Sequence, residues 1–595
     1  MPAAASFVAL TRKLLLAAAA CVALSLAGCA TLPDEGPRVA STSLPVQGPA
    51  TPLDRIATAS MEGAEPGASG FRLMLGLASM DTRLVLLRGA QRSLDLQYYH
   101  LHDDATGRLV LRELRDAAQR GVRVRLLVDD LYTEDIGPLL EGLGAYPNVE
   151  VRIFNPFPTR GGTATRFGFA LFDFARVNRR MHNKLFVADG VLAVAGGRNL
   201  GDVYFMRDTD DNFFDYDVLV AGAVLPQMAS IFDEYWNAPQ VRTAASVLRP
   251  SGDTEAARRD FDARVDGADT PEPVPFRTVD PLGRVTLGDE LGAGRVKLAF
   301  GRAQAFADSP AKAWGQAETQ RLPSGALIDT SRRLLGEAVQ QAQVEIITSS
   351  PYFVPGPVAL DGMRRNAARG IRQTLITNSL AATDEPVVHT GYRRYRARLL
   401  GDGMQIYEIH PNAGRALFVG SIGAGTQVRL HTKALVIDRK TLFLGSVNMD
   451  PRSDALNTEF GLRIDCPALA EEARAFFGEL MQHSAFQVRL KPGSDSELEW
   501  WRVDGDQPVK VTDEEPGADL ATRAKLYLQS LVIPESMLSR SVKTRCARAR
   551  RRTCRYRHCP RSRTHPPSCR ASVPAAGARP PVRLRRRLRP RCACR

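Results

Sequence analysis

Two histidines, two lysines and two asparagines stand in this chain at matched spacings. His182-Asn183-Lys184, then Asp189, then Gly196-Gly197-Arg198-Asn199 follow the pattern H-x-K-x(4)-D-x(6)-G-[GS]-x-N. His431-Thr432-Lys433, then Asp438, then Gly445-Ser446-Val447-Asn448 repeat it over the same eighteen positions. A lone His-x-Lys is a chance-level match, but two full copies in one chain are not. Brought to one point, these side chains suit a tetrahedral phosphate. Lys184, Lys433, Asn199 and Asn448 would neutralise and position its oxygens. One imidazole can attack phosphorus while the other protonates the departing alkoxide. The scheme needs neither metal nor cofactor. His100, His102, His389, His410 and His483 lack a metal-ligand spacing and read as surface or supporting groups.

The elements that must position these groups are legible as periodicities. On a strand, residues i and i+2 face the same way, so a strand over Met181–Ala188 would point His182 and Lys184 together. It would turn at Asp189-Gly190 and return as Val191–Ala195, with Gly196-Gly197 allowing a close backbone approach. Asp189 and Asp438 count with the site because they belong to the motif, although a place at a hairpin turn points to a structural role. Upstream, Arg83–Gln91 has helical spacing and Leu94–Tyr99 reads as a strand. A helix follows with Val110, Leu111, Leu114, Ala117 and Ala118 on one face, stopping at Gly121, and Val122–Val128 reads as a buried strand. This βαβ rhythm recurs at a constant offset. Gly121 matches Gly370, His182 matches His431, and Ala117–Arg123 resembles Asn366–Arg372, each 249 residues on. Identical offsets at separated landmarks mark an internal duplication. The expectation is two α/β lobes, 70–240 and 294–540. A Pro-, Gly- and Asp-rich connection over 241–293 would join them, and a hairpin is expected at Trp501–Val511.

The ends of the chain read differently from its body. Arg12 and Lys13 precede an apolar run, Leu14–Ala27, of 14 residues, short of the roughly 20 a membrane-spanning helix needs. Leu26-Ala27-Gly28-Cys29 looks like a lipoprotein signal, with Cys29 as the lipidated residue. Ala30 in the next position favours the periplasmic face of a Gram-negative outer membrane. Residues 30–69, rich in Pro, Ser, Thr and Ala, read as a flexible tether. Of the 79 Lys+Arg, 19 lie in 541–595 with no acid beside them, so the first 540 residues hold 60 basic against 65 acidic groups. A mildly acidic body argues against a nucleic-acid partner, which would require a basic groove. The tail, with six of the nine cysteines, cannot build a core and reads as a disordered extension or a frameshift artefact.

The double motif resembles the phospholipase D superfamily and, more narrowly, its bacterial cardiolipin synthase branch. Further segments carry the likeness: Ser93–Tyr99, Asn178–Lys184, Tyr235-Trp236-Asn237, Asn378–Asp384, Asn448–Ser453 and Asn457-Thr458-Glu459. The resemblance runs from about residue 70 to 538. It implies two lobes, each a mixed β-sheet flanked by helices, related by a pseudo-twofold duplication. It implies metal-independent phosphatidyl transfer through a phosphohistidine, from phosphatidylethanolamine to phosphatidylglycerol, or to water as in a phospholipase D. It also implies an acidic residue behind each imidazole. Glu459 takes that place after His431, and Asp215, with Asp217 as rival, takes it after His182. His182 would be the nucleophile, and His431 the acid and then the base. A nuclease of the same superfamily and a non-catalytic envelope lipoprotein are the competing classes. Pro351–Pro355 could form a lipid-contact rim or core, and Tyr392–Arg396 could hold headgroup anions or face solvent.

Overall fold

The computed structural model describes residues 35, 38–76, 78–160, 166, 168, 173–248, 252–267, 287–316, 318–412, 427–504, 507–519, 522 and 526. Cys29, Gly505 at the expected hairpin turn, nearly all of 520–540 and the basic tail lie outside them.

In the first half, β1 (Ser69–Leu75), β2 (Ser93–Tyr98), β3 (Arg123–Asp129), β4 (Val149–Phe154), β5 (Leu185–Ala188), β6 (Leu192–Gly196), β7 (Asp211–Phe214) and β8 (Tyr216–Gly222) are strands. All but β7 form one sheet in the order 4-3-2-5-6-8-1, parallel across β4, β3 and β2 and antiparallel beyond. In the second half the strands are β9 (Ala299–Ala307), β10 (Glu345–Ser349), β11 (Arg372–Asn378), β12 (Gln405–Ile409), β13 (Gln427–Leu430), β14 (Ala434–Ile437), β15 (Thr441–Gly445) and β16 (Phe460–Asp465). Their order, 12-11-10-14-15-16-9, repeats the first with the same directions. The duplication read from the 249-residue offset is therefore a duplication of sheet topology. The two sheets join where β1 pairs antiparallel with β9.

Helices cover the sheets at matching places: α1 (Pro52–Ser60), α2 (Ala78–Gly89), α3 (Ala105–Gln119), α4 (Thr133–Leu143), α5 (Leu225–Trp236), α6 (Thr254–Val265), α7 (Ser331–Gln341), α8 (Gly356–Ala368), α9 (Pro386–Gly401), α10 (Pro451–Ala455) and α11 (Pro467–His483). The apolar stripe of α3 is Leu109, Val110, Leu111, Leu114, Ala117 and Ala118, all buried, and Asp104 caps its start through Gly107 N. Gly121, just past its end, takes φ +91°, a left-handed conformation that a side chain would strain. The lobes share core. Phe476 of α11 stacks on Phe214 with ring centroids 5.1 Å apart, and the hydroxyl of Tyr235 on α5 donates to Asp308 O across the lobes at 2.6 Å.

Two stretches differ from the sequence reading. Residues 38–69 are bound to the first lobe and do not form a free tether. Ser43 donates to Asp233 through both its amide and its hydroxyl. Arg125, about 1% exposed, pairs with Asp95 at 2.7 Å and Asp233 at 2.8 Å beneath this segment. α1 has a Thr51–Asp54 capping box, and Asp54 binds both terminal nitrogens of Arg92. Polar composition hid these contacts because serines and carboxylates mark a loop equally well when their partners are distant. The connection 241–293 is also structured among its described residues. Val241–Thr243 pairs with β4, and α6 buries Phe261 and Val265 while Arg115 clamps its C-terminal Asp266. Two apolar residues one turn apart were too weak a period to read.

The hairpin expected at Trp501–Val511 is present as Leu498–Asp504 paired with Gln507–Thr512. Phe353 and Val354 are buried, so Pro351–Pro355 is mainly core. Tyr392 and Arg396 are buried on Glu408, and Arg393 pairs with Glu515, so this face is committed to internal carboxylates.

Candidate active site

Each histidine motif sits just outside the sheet. His182-Asn183-Lys184 precedes β5 and is not part of it, and His431-Thr432-Lys433 links β13 to β14. Cross-lobe backbone pairing holds both. His182 N donates to Thr458 O and Thr458 N to Arg180 O. In the symmetric place β13 pairs parallel with β7, and His431 N donates to Phe214 O. The residue before each histidine is pinned as well. Asp129, at the end of β3, accepts from Met181 N at 2.8 Å, and Asn378, at the end of β11, binds both backbone groups of Leu430. Carboxyl ends of parallel strands thus aim the motif, as open α/β sheets commonly do.

Behind the imidazoles the carboxylates cross between lobes. His182 Nδ1 lies 2.9 Å from Glu459 Oε2 and 3.1 Å from Ser446 O. Both neighbours accept, so Nδ1 carries the proton and Nε2 holds the lone pair. His431 Nδ1 lies 2.7 Å from Asp215 Oδ2. Sequence order sets each acid behind its own lobe's histidine, and the structure exchanges them. The rival Asp217 is engaged elsewhere, with Arg83 at 3.0 Å and Arg198 at 3.1 Å.

The histidines are 7% and 5% exposed, and burial governs their protonation. It lowers His182 to about 4 against the opposing pull of Glu459. It lowers His431 well below the usual imidazole range, with Lys433, Lys184 and His182 adding to the effect. Burial also depresses both lysines, Lys433 to about 8 and Lys184 well below its ordinary value. For Glu459, burial pushes upward but is outweighed by His182 and Lys184, so the group lies below its ordinary value. For Asp215 burial wins over Lys433 and Arg198 and raises it. An empty site therefore holds two neutral imidazoles. An incoming phosphate anion offsets the lysine charges and makes protonation of one imidazole easier.

The other expected site residues divide. Lys184 and Lys433 donate to the carbonyls of their own histidines, His182 O at 2.7 Å and His431 O at 2.5 Å. Asn199 gives one amide hydrogen to the Tyr204 hydroxyl at 2.9 Å and accepts from His100 N at 3.3 Å. Asn448 keeps its Oδ1 buried without a partner among the described residues. Asp189 and Asp438 do not join the cluster. Each sits at its turn with φ near +50°, beyond a four-residue strand and on the order of 15 Å from its histidine. Asp189 accepts from the amides of Gln91, Arg92 and Ser93, and Asp438 from those of Gln343, Val344 and Glu345. Their work is to clasp the start of β2 and of β10.

Aromatic walls and serine supports were not singled out from sequence. Tyr99 packs edge-on against His182 at 5.0 Å, Tyr204 against His431 at 5.2 Å, and Phe213 lies 4.9 Å from His431. Ser453 donates to Glu459 at 2.7 Å, and the Ser446 hydroxyl donates to the same carboxylate. Ser453 lies inside the Asn448–Ser453 segment already quoted for its likeness, which was the available signal. His100 and His102, read as surface or supporting groups, stack at 3.7 Å beside Tyr132.

Two histidines that each back onto a buried carboxylate, at the seam of a duplicated α/β fold, define a phosphodiester-transfer centre. Comparison with known proteins agrees. The family model "Cardiolipin synthase, PLD-like domain" matches residues 84–236 and 335–481, one match on each lobe. Cardiolipin synthase C of Escherichia coli is 34% identical over 82% of this chain and the whole of its own length. An uncharacterized protein of Helicobacter pylori is 30% identical over 73% of this chain and 83% of its own. Among solved structures, phosphatidylserine synthase of Haemophilus influenzae aligns with a TM-score of 0.46 at 15% identity, covering 70% of this chain and 86% of that one. The chain belongs to the phospholipase D superfamily. Within it, the chain is a cardiolipin synthase-like enzyme of the phosphatidyltransferase kind.

Proposed function

We propose that the protein transfers a phosphatidyl group from a phospholipid donor, phosphatidylethanolamine, to phosphatidylglycerol, forming cardiolipin through a covalent phosphohistidine. The observation that carries this reading is the crossed pairing of His182 with Glu459 and His431 with Asp215. It fixes both imidazoles by Nδ1 and leaves both Nε2 atoms without a protein partner among the described residues. His182 Nε2 attacks phosphorus, and His431, which takes a proton on Nε2 from solvent as the substrate's phosphate anion enters, passes that proton to the departing headgroup oxygen. His431 then takes the proton of the acceptor hydroxyl as that oxygen displaces His182. The two lysines sit where phosphate oxygens would collect, and their charge offsets the charge that develops there. The lipobox at Cys29 supports anchoring at the periplasmic face of an outer membrane, where the lipid substrates lie.

Vesicles containing phosphatidylethanolamine and phosphatidylglycerol test the reading directly. Cardiolipin is the expected product. Phosphatidic acid alone would make the protein a hydrolase, and the absence of both products would refute transfer. His182→Ala and His431→Ala should each lose about 10⁴-fold in turnover, the scale set by removing one member of a cooperating catalytic pair. In cells, Cys29→Ser should move the protein out of the membrane fraction; unchanged membrane retention would count against the anchor.

A further inference from the structure

Past the end of β11 the chain runs through Leu380–Asp384 and brings a third carboxylate to the rim of the centre. Tyr352 fixes it, donating from its hydroxyl to Asp384 Oδ2 at 2.6 Å. The other oxygen, Asp384 Oδ1, is buried and has no hydrogen-bond partner among the described residues. Its charge is felt by the Lys433 ammonium and by the Tyr204 hydroxyl, which places it on the side of the cluster where His431 stands. The first lobe offers no equivalent among the described residues: the match at the 249-residue offset, Asp135, is exposed on α4. Asp129 and Asp130, at the end of β3, are spent on Met181 N, Leu131 N and Phe157 N and on the guanidinium groups of Arg180 and Arg160. Buried carboxylate oxygens are nearly always satisfied, so an orphan one beside a reaction centre asks for a donor that arrives with the ligand.

The acceptor of the proposed transfer sets the donor's chemistry. Once the ethanolamine headgroup has left, phosphatidylglycerol brings no cation, and a hydroxyl is the O–H its glycerol offers. We infer that Asp384 Oδ1 accepts a hydrogen bond from the hydroxyl adjacent to the attacking one, so that the acceptor is selected as a vicinal diol. The glycerol headgroup of phosphatidylglycerol belongs to that class. The inference rests on the transfer reading above. In that step one acceptor hydroxyl forms the new P–O bond and the P–Nε2 bond to His182 breaks. The electron pair of the broken bond returns to the imidazole, and the hydroxyl proton passes to His431 Nε2. The second hydroxyl stays on Asp384 and holds the first in line. Water and simple alcohols attack without that support, so Asp384 is a positioning residue that favours transfer over hydrolysis.

The full chain in mixed micelles, with a phosphatidyl p-nitrophenyl ester as donor and glycerol or propan-1-ol as soluble acceptor, separates the possibilities. The wild-type protein should prefer glycerol over propan-1-ol by about ten-fold or more in kcat/KM, the scale of a charge-assisted hydrogen bond. Asp384→Ala should compress that preference to within about two-fold. It should also raise the share of phosphatidic acid, and lose more in transfer than in the nitrophenol burst that reports attack on the donor. Tyr352→Phe, which keeps the carboxylate but frees it to turn, should shift the preference in the same direction by less, and serves alone if Asp384→Ala does not fold. An unchanged acceptor preference in the variants overturns the inference, as does a burst lost in step with transfer. Equal use of both alcohols by the wild type overturns it while leaving phosphatidyl transfer intact. A wild-type protein that releases no nitrophenol overturns both.

Discussion

The two halves of the centre reach the same imidazole geometry by different means. Behind His182, the longer Glu459 is held by the hydroxyls of Ser446 and Ser453, and its backbone amide donates to Asp308. Behind His431, the shorter Asp215 takes a hydrogen bond from its own neighbour Tyr216 N. At the position matching Ser446 there is Gly197, where a Cβ would lie 2.6 Å from Asp215 Oδ2. Glu459 goes with a serine that bonds it, and Asp215 with a glycine that leaves it room. The electrostatic outcome differs too. Burial and partners leave Glu459 below and Asp215 above the ordinary carboxylate range. On the proposed roles, the carboxylate behind His182 supports its Nε2 as the attacking atom, and Asp215 holds the ring of His431 for proton transfer. Duplication therefore supplied two similar sockets that differ in the acid and in its support.

The sharpest test of that division removes the charge from each acid in turn. Glu459→Gln can present its amide to the Nδ1 of His182 and stabilise the wrong tautomer, a change that costs about 10⁴-fold in the analogous serine protease triad. With a p-nitrophenyl leaving group no acid is needed for the first step. On this donor Glu459→Gln should abolish the nitrophenol burst, while Asp215→Asn should keep the burst and lose steady-state turnover. The reverse pattern would assign the nucleophile to His431.

A smaller effect is expected from swapping the supports. Gly197→Ala puts a methyl into Asp215 and should displace the carboxylate by a few tenths of an ångström to 1 Å, enough for about 10²-fold in turnover. Ser446→Ala leaves Glu459 its bond from Ser453 and should cost about ten-fold, the scale of one hydrogen bond to a charged group. Equal losses in the two variants would mean that the two sockets are packed alike.

How much of this was legible beforehand follows from the range of each interaction. The motif's fixed spacings and the 249-residue offset are local or periodic features, so the paired histidines and the duplicated sheet could be read directly. The crossing of Glu459 to His182 could not. Spacing locates Glu459 after His431, but the exchange depends on a single bridge between Met181 and Thr458 and, for Asp215, on β7 pairing with β13, and neither short segment carries a partner label. The same limit hid Ser43 on Asp233 and Tyr352 on Asp384, contacts that span 190 and 32 residues. Asp189 and Asp438 show the converse. A motif position marked them as site residues, yet what they hold is three backbone amides at a turn.

The last expected effect is a pH limb from the Lys433 ammonium. Burial lowers Lys433 to about 8, with Asp215 and Asp384 opposing. A lysine whose value is depressed is charged below it, so the ammonium near the phosphate is present at pH 7 and lost as pH rises through 8. The pH profile of kcat/KM, which reports the free enzyme, should fall above about pH 8 and approach a ten-fold loss per unit. Lys433→Arg keeps a charge throughout this range and should flatten that limb, although its planar fork fits a point-charge site less well and the plateau should sit lower. Lys184→Arg should leave the limb where it is, because the Lys433 ammonium still titrates in that variant. An alkaline limb that persists in Lys433→Arg would move the titration to another group, with Lys184 the first candidate.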